Sequence, residues 1–123
     1  MFEVEARVGK NRLVVRIWGD LDDAEARQIG DAAVRAVDRL RPGLDILSDL
    51  SGLTRVPVEC AAQLRRIVEA AQARGLRQVV RVVGRSAEAA LQFQRISRSI
   101  GYEAYLAFSL EEAERMLDGG EPP

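Results

Sequence analysis

Hydrophobic and polar residues alternate along two stretches at the start of the chain, residues 2–8 and residues 12–18. A period of two places successive side chains on opposite faces of a strand, so each stretch predicts a β-strand. Only residues 9–11 separate the two stretches, and a three-residue connection that contains glycine is typical of a hairpin. The chain is therefore predicted to open with a β-hairpin.

From residue 22 onward the hydrophobic spacing switches between helical and strand-like periods. Apolar residues at every third or fourth position predict helices, whereas short apolar runs bounded by turn residues predict buried strands. Asp22 with Glu25, and Ser109 with Glu112, have the spacing of helix-capping pairs, and Ser86 is a candidate cap for the third helix. The predicted helices cover residues 23–40, 57–74, 87–100 and 110–118, and the predicted strands cover residues 44–50, 78–84 and 102–108.

This order of elements, ββαβαβαβα, indicates one α/β domain. Strands that alternate with helices form parallel sheets through right-handed crossovers, and here the hairpin adds an antiparallel strand. We expect a single open mixed sheet of about five strands with about four helices, which bury their apolar stripes against the sheet. The domain is assigned to residues 1–120, and residues 121–123 are expected to form a frayed tail.

Composition narrows the range of functions. The 123 residues include no histidine and one cysteine, Cys60, so a zinc site, a disulfide and histidine-based acid–base catalysis are not expected. Because no nucleophile and base can be paired, we predict that the protein is not an enzyme and uses no cofactor or metal. No apolar run reaches the roughly 20 residues of a membrane span, and the first residues do not resemble a signal peptide. A soluble, cytoplasmic protein is expected.

Two short motifs and the order of elements resemble a known family. Residues 18–22 (WGDLD) resemble the Gly-x-Leu-Asp element that precedes the first helix of STAS domains, and residues 49–54 (DLSGLT) resemble the Asp-Leu-x-x-Val segment after their third strand. STAS domains include bacterial anti-sigma-factor antagonists and the cytoplasmic tails of sulfate transporters. The resemblance covers nearly the whole chain. It implies a non-enzymatic bacterial regulatory module that acts by protein–protein interaction.

The chain departs from this family at the start of the second helix. Antagonists that are switched by phosphorylation carry Asp-Ser-Ser-Gly there, whereas this chain carries residues 57–60 (PVEC), which include no hydroxyl. We therefore predict no phosphorylation switch at this position, with Ser51 as the nearest alternative acceptor. Glu59 is either a permanent mimic of phosphoserine or ordinary first-turn chemistry, since a negative charge is favoured at a helix N-terminus.

Charge is distributed unevenly along the sequence. Residues 62–100 contain eight arginines and two acids, and residues 101–123 contain six acids and one base. This basic block could bind an acidic partner, such as an anti-sigma factor or a kinase-like regulator, or it could be neutralised by the acidic last helix. Nucleic acid is disfavoured, because the overall isoelectric point is near 5.6. A homodimer is left open.

The candidate partner-binding residues follow from helical projection and from the resemblance, because family partners dock at the start of the second helix. Opposite the core stripes of the second and third helices we place Val58, Ala62, Arg65 and Glu69, and Leu91, Gln94, Arg95 and Arg98. The candidate partner-binding residues are Val58, Glu59, Ala62, Arg65, Leu91, Arg95 and Arg98.

A second hypothesis places a small anionic or amphipathic, lipid-like ligand on an open face of the sheet. Arg16 and Trp18 from the second strand and Arg81 from the fourth are predicted to share that face, where two guanidinium groups and an indole could bind such a ligand. The alternative is that the arginines pair with carboxylates nearby, such as Glu3 and Glu5. Cys60 is predicted to be a structural core residue.

Overall fold

The computed structural model describes residues 1–84 and 87–119, and within them the predicted order of strands and helices is confirmed. Asp22 and Ser109 cap their helices as predicted, each accepting a hydrogen bond from the backbone N–H three residues later. Ser86 and residues 121–123 lie outside the described residues. The elements are β1 (Phe2–Arg7), β2 (Arg12–Asp20), α1 (Asp23–Val37), β3 (Asp45–Arg55), α2 (Glu59–Ala73), β4 (Gln78–Val82), α3 (Ala87–Ile100), β5 (Tyr105–Ala107) and α4 (Leu110–Asp118).

The five strands form one sheet in the order β1-β2-β3-β4-β5. β1 pairs with β2 in antiparallel orientation, and the other three pairs are parallel. Right-handed crossovers between successive parallel strands place α1, α2 and α3 on the same side of the sheet. We call this side the three-helix face and the opposite side, on which α4 packs, the α4 face.

The strand register decides which side chains share a face. Val15 on β2 pairs with Ser48 on β3, which pairs with Arg81 on β4, and this row belongs to the three-helix face. In the neighbouring row Leu47 lies between Val14 and Val80, on the α4 face. Val15 belongs to the larger apolar cluster, against α1 and α2, whereas the second row belongs to the smaller cluster, against α4.

Three element boundaries differ from the predictions by three residues or more. β3 continues to Arg55 rather than ending at Leu50, because β2 also continues, and the two strands pair as far as Asp20 and Arg55 after a bulge beside Trp18. α1 ends at Val37, three residues early. β5 has only the three residues that pair with β4, because Tyr102 and Ala104 pack on the core instead.

Ion pairs around one buried arginine attach α4 to the sheet. Arg12 is 2% exposed, and its guanidinium lies 3.3 Å from the Glu114 carboxylate and 2.9 Å from that of Asp118. Arg7 and Lys10 bind the same two carboxylates from the hairpin, at 2.7 Å and 3.0 Å. We call these five residues the α4 ion cluster. It holds the last helix against the first two strands.

Candidate partner-binding surface

The start of α2 presents an apolar side chain to solvent. Val58 immediately precedes the helix and is 91% exposed. Ala62 and Arg65, four and seven residues further on, are exposed on the same side of the helix, as predicted. Between them, the apolar Ala61 is exposed and the polar Gln63 is buried.

Gln63 takes that inward position because α1 and α2 approach closely at Gly30. A Cβ on Gly30 would overlap the Gln63 side-chain amide, so the absence of a side chain there makes room for it. The amide donates to Glu59 at 3.0 Å and accepts from Arg66 at 2.8 Å. The buried amide is therefore satisfied by charged groups at the edge of the helix pair.

Glu59 is bound within this network rather than presented outward. Its Oε1 accepts the Gln63 hydrogen bond and lies 3.8 Å from Nη1 of Arg27 on α1. The Glu59 side chain is 28% exposed. The presence of a carboxylate at position 59 is therefore explained by these interactions inside the molecule and by its position in the first turn of α2.

On α3 the candidate residues Leu91, Arg95 and Arg98 are exposed, with Leu91 at 58% exposure. The prediction that Gln94 also points outward is wrong, since its Oε1 accepts a hydrogen bond from Arg81 in the core at 3.2 Å. Ser97, three residues later, is 2% exposed. The inward face of α3 is therefore wider than its apolar stripe, because polar side chains complete it.

The arginines of the basic block divide into two groups. Among the described residues, Arg66, Arg74, Arg77 and Arg81 bind groups within the molecule: Asp31, the carbonyl of Leu40, Asp45, and Gln94 with the hydroxyl of Tyr102. No ion pair within residues 1–84 and 87–119 involves the others that the structure describes, which are Arg65, Arg95 and Arg98. The charge predicted for partner binding thus resides in these three exposed side chains.

The acidic last helix does not neutralise them in the described part of the chain. Glu114 and Asp118 of α4 bind Arg7, Lys10 and Arg12 of the hairpin, on the other side of the sheet. The geometry therefore disfavours neutralisation of the basic block by α4 and leaves the surface of α2 and α3 open to an acidic partner.

Arg16, Trp18 and Arg81 do not share a face, so that prediction is wrong. Arg81 lies in the row of Val15 on the three-helix face and is 1% exposed. Arg16 and Trp18 alternate with Val15 along β2 and therefore lie on the α4 face. There Arg16 lies 3.7 Å from Glu3 and 3.6 Å from Asp49, so it is paired with carboxylates.

Arg81 lines a small cavity between the sheet, α1 and α2. Burial lowers the pKa of its guanidinium, opposed by the nearby Tyr102 hydroxyl, to which Arg81 donates a 3.0 Å hydrogen bond. The cavity measures about 50 Å³ and its other walls are mainly aliphatic. Pockets for organic ligands usually measure about 300–1,000 Å³. The cavity is therefore far smaller than a site for a lipid-like molecule.

Cys60 lies on the buried side of α2, as predicted. Burial raises the pKa of its thiol from 9.0 to about 11, and the charges of Asp23 and Glu59 act in the same direction. Since the thiolate is the reactive form, native protein at neutral pH should react with a thiol reagent at least about 100-fold more slowly than the urea-unfolded chain. Ellman's reagent measures both rates, and equal rates would contradict this assignment.

Sequence reasoning missed one exposed aromatic residue. Phe108 directly follows β5 and is 75% exposed. The carboxyl ends of parallel strands lie at one edge of the sheet, so Phe108 and Val58, which follow β5 and β3, belong to the same end of the molecule. The sequence signal for this exposed residue was the position of an aromatic side chain immediately before the helix cap Ser109.

Within residues 1–84 and 87–119, no helix has the length and apolar character of a membrane span. No group of three or more Cys, Asp or Glu side chains in this part of the chain is arranged to hold a metal ion.

The fold matches solved structures of SpoIIAA. The phosphorylated form of this Bacillus cell fate determinant aligns with a TM-score of 0.69 at 16% identity, over 95% of this chain and 99% of that one. The unphosphorylated anti-sigma factor antagonist SpoIIAA aligns with a TM-score of 0.67 at 15% identity, over 97% and 96%. No family model and no curated protein matches the sequence. Identities this low establish the fold alone, and the predicted STAS fold is confirmed.

Proposed function

We propose that this protein is a non-enzymatic bacterial regulatory module of the anti-sigma-factor-antagonist type. The observation that carries the proposal is the 91% exposure of Val58 at the start of α2, the position where the resemblance places the partner contact and the switch serine. A valine that the fold does not bury is available for a partner to bury. The likeness to SpoIIAA supports this reading, and its expected location is the bacterial cytoplasm.

The partner is an acidic protein surface, on an anti-sigma factor or a kinase-like regulator. Val58, Ala62 and Leu91 supply apolar contact area, and Arg65, Arg95 and Arg98 supply positive charge beside it. An apolar centre with a charged rim is the common anatomy of a protein interface. We call these six residues the α2–α3 surface.

Binding on this surface would not be controlled by phosphorylation at the start of α2. Residues 57–60 offer no hydroxyl, and Glu59 is bound to Gln63 and close to Arg27. The interaction would be constitutive at this position and would depend on the amounts of the two proteins. Glu59 acts in this account as a first-turn residue rather than as a mimic of phosphoserine.

Capture of the partner from the native cell, identification by mass spectrometry and titration of the purified pair would test the proposal. Changing Arg95 and Arg98 together to glutamate should slow association about tenfold or more and weaken its salt dependence, because exposed rim charges mainly steer encounter. The matched control compares Arg98→Glu with Arg115→Glu, which reverses an exposed charge on α4. Equal effects of these two single variants would contradict the proposed surface.

A further inference from the structure

The outer edge of β1 has free backbone hydrogen-bonding groups. Met1 and Trp18 exchange two backbone hydrogen bonds, each 3.0 Å long, which fixes the pattern of the antiparallel ladder. In such a ladder alternate residues bond to the partner strand, so Phe2, Val4 and Ala6 direct their N–H and C=O groups away from β2. Among residues 1–84 and 87–119, no strand pairs with the outer side of these three residues, which form an open sheet edge.

A groove runs between this edge and α1. It measures about 480 Å³, and small or aliphatic side chains line both walls, from Val4 and Ala6 on the strand and from Ala32 and Ala36 on the helix. Glu5 also lines the groove, and its carboxylate is paired with Arg7 at 3.3 Å. Because the alanine side chains on α1 are small, they leave space between the helix and the edge of β1. An additional strand paired with β1 would place every second side chain over this groove.

The helix wall of the groove is positively charged. Arg35 and Arg39 line it and are exposed. No ion pair or side-chain hydrogen bond within residues 1–84 and 87–119 involves either of them. Asp31, four residues before Arg35, is paired with Arg66 at 2.9 Å. Asp38, three residues after Arg35, is exposed and does not line the groove.

We propose that this groove binds an acidic, extended segment of a protein partner, which adds a sixth strand to the sheet beside β1. Backbone hydrogen bonds to Phe2, Val4 and Ala6 would supply affinity, and carboxylates on alternate residues would pair with Arg35 and Arg39. The groove belongs to the β1 edge and not to the α2–α3 surface, so the inference goes beyond the proposed function.

Charge argues against a second copy of this chain as the occupant. An isologous dimer through β1 would continue the sheet and bring the two α1 helices side by side on the same face. Arg35 and Arg39 of one copy would then face the same arginines of the other copy. Like charges in register oppose that pairing, whereas an acidic strand satisfies both arginines.

The test uses a synthetic seven-residue peptide that alternates glutamate with valine, and a control peptide with lysine at the glutamate positions. The glutamate peptide should bind, and it should slow hydrogen exchange at the backbone amides of Val4 and Ala6, measured by NMR. Changing both Arg35 and Arg39 to glutamate should lower its affinity at least tenfold. The charge-matched variant Arg95→Glu/Arg98→Glu should bind it as the natural sequence does.

Four results would overturn the proposal. They are no detectable binding of the glutamate peptide, equal binding of the lysine peptide, retention of affinity in the Arg35→Glu/Arg39→Glu variant, and a self-associated dimer in sedimentation that protects the Val4 and Ala6 amides without peptide. Ala32→Phe offers a second variant that fills the groove without changing charge, and it should also weaken binding. All four results concern the β1 edge and not the α2–α3 surface, so any of them would leave the proposed function intact.

Discussion

An aspartate in place of Val58 is expected to lower the affinity for the captured partner about 100-fold, mainly through faster dissociation. The side chain is 91% exposed in the free protein and lies at the start of α2, where a partner would bury it. In the complex, a carboxylate at this position would lose its hydration without gaining a cationic group to pair with. Titration calorimetry and surface plasmon resonance would measure the affinity and the dissociation rate.

The control for this variant is Val8→Asp, which places the same charge on another exposed valine, in the hairpin turn. It should bind the partner normally, because it is far from α2 in the fold. Both variants should keep the unfolding free energy of the natural protein within about 0.5 kcal/mol. If Val58→Asp bound with unchanged affinity, the partner would have to contact another surface and the proposed function would lose its main support.

Hydrophobic periodicity predicted the elements because each period has a direct geometric cause. Alternation at Leu13, Val15 and Ile17 places all three on one side of β2, and the structure buries all three. The capping residues Asp22 and Ser109 were recognisable because their chemistry is local. The alternation of strands and helices predicted the parallel pairing, because crossover connections join parallel strands.

The sheet register could not be predicted in the same way. Period two tells which residues of one strand share a face, but it does not tell which residues of a neighbouring strand join them. Arg16 and Arg81 were therefore placed together, although the register aligns Arg81 with Val15. The two residues belong to opposite faces, one paired with carboxylates and the other buried.

The division of the arginines also required the structure. Arg65 and Arg66 are adjacent on α2, yet one is a candidate for partner binding and the other binds Asp31 on α1. Such contacts join residues far apart in the sequence, and composition reports only the total charge. For the same reason the groove beside β1 was missed, since its walls come from separate elements.

The conservative change Glu114→Gln is expected to lower the unfolding free energy by roughly 1–3 kcal/mol. It removes the carboxylate that Arg7 approaches at 2.7 Å and Arg12 at 3.3 Å. Because the Arg12 side chain is 3% exposed, its charge cannot be solvated when that partner is lost. The loss of unfolding free energy should not exceed that of breaking a fully buried ion pair, because Asp118 still binds Arg12 and Glu114 is 26% exposed.

Urea unfolding followed by circular dichroism measures this effect, with Glu111→Gln as the matched control on the exposed first turn of α4. Acid titration supplies a second readout. Hydrogen bonds from Arg12 and Lys10 lower the pKa of Asp118 below its usual 3.8, so the stabilisation is present above that pH and is lost as the pH falls through the lower value. Asp118→Asn should therefore flatten the acid limb of the stability profile. If Glu114→Gln and Glu111→Gln unfolded at the same urea concentration, the ion pairs of Glu114 would not stabilise the attachment of α4 to the sheet.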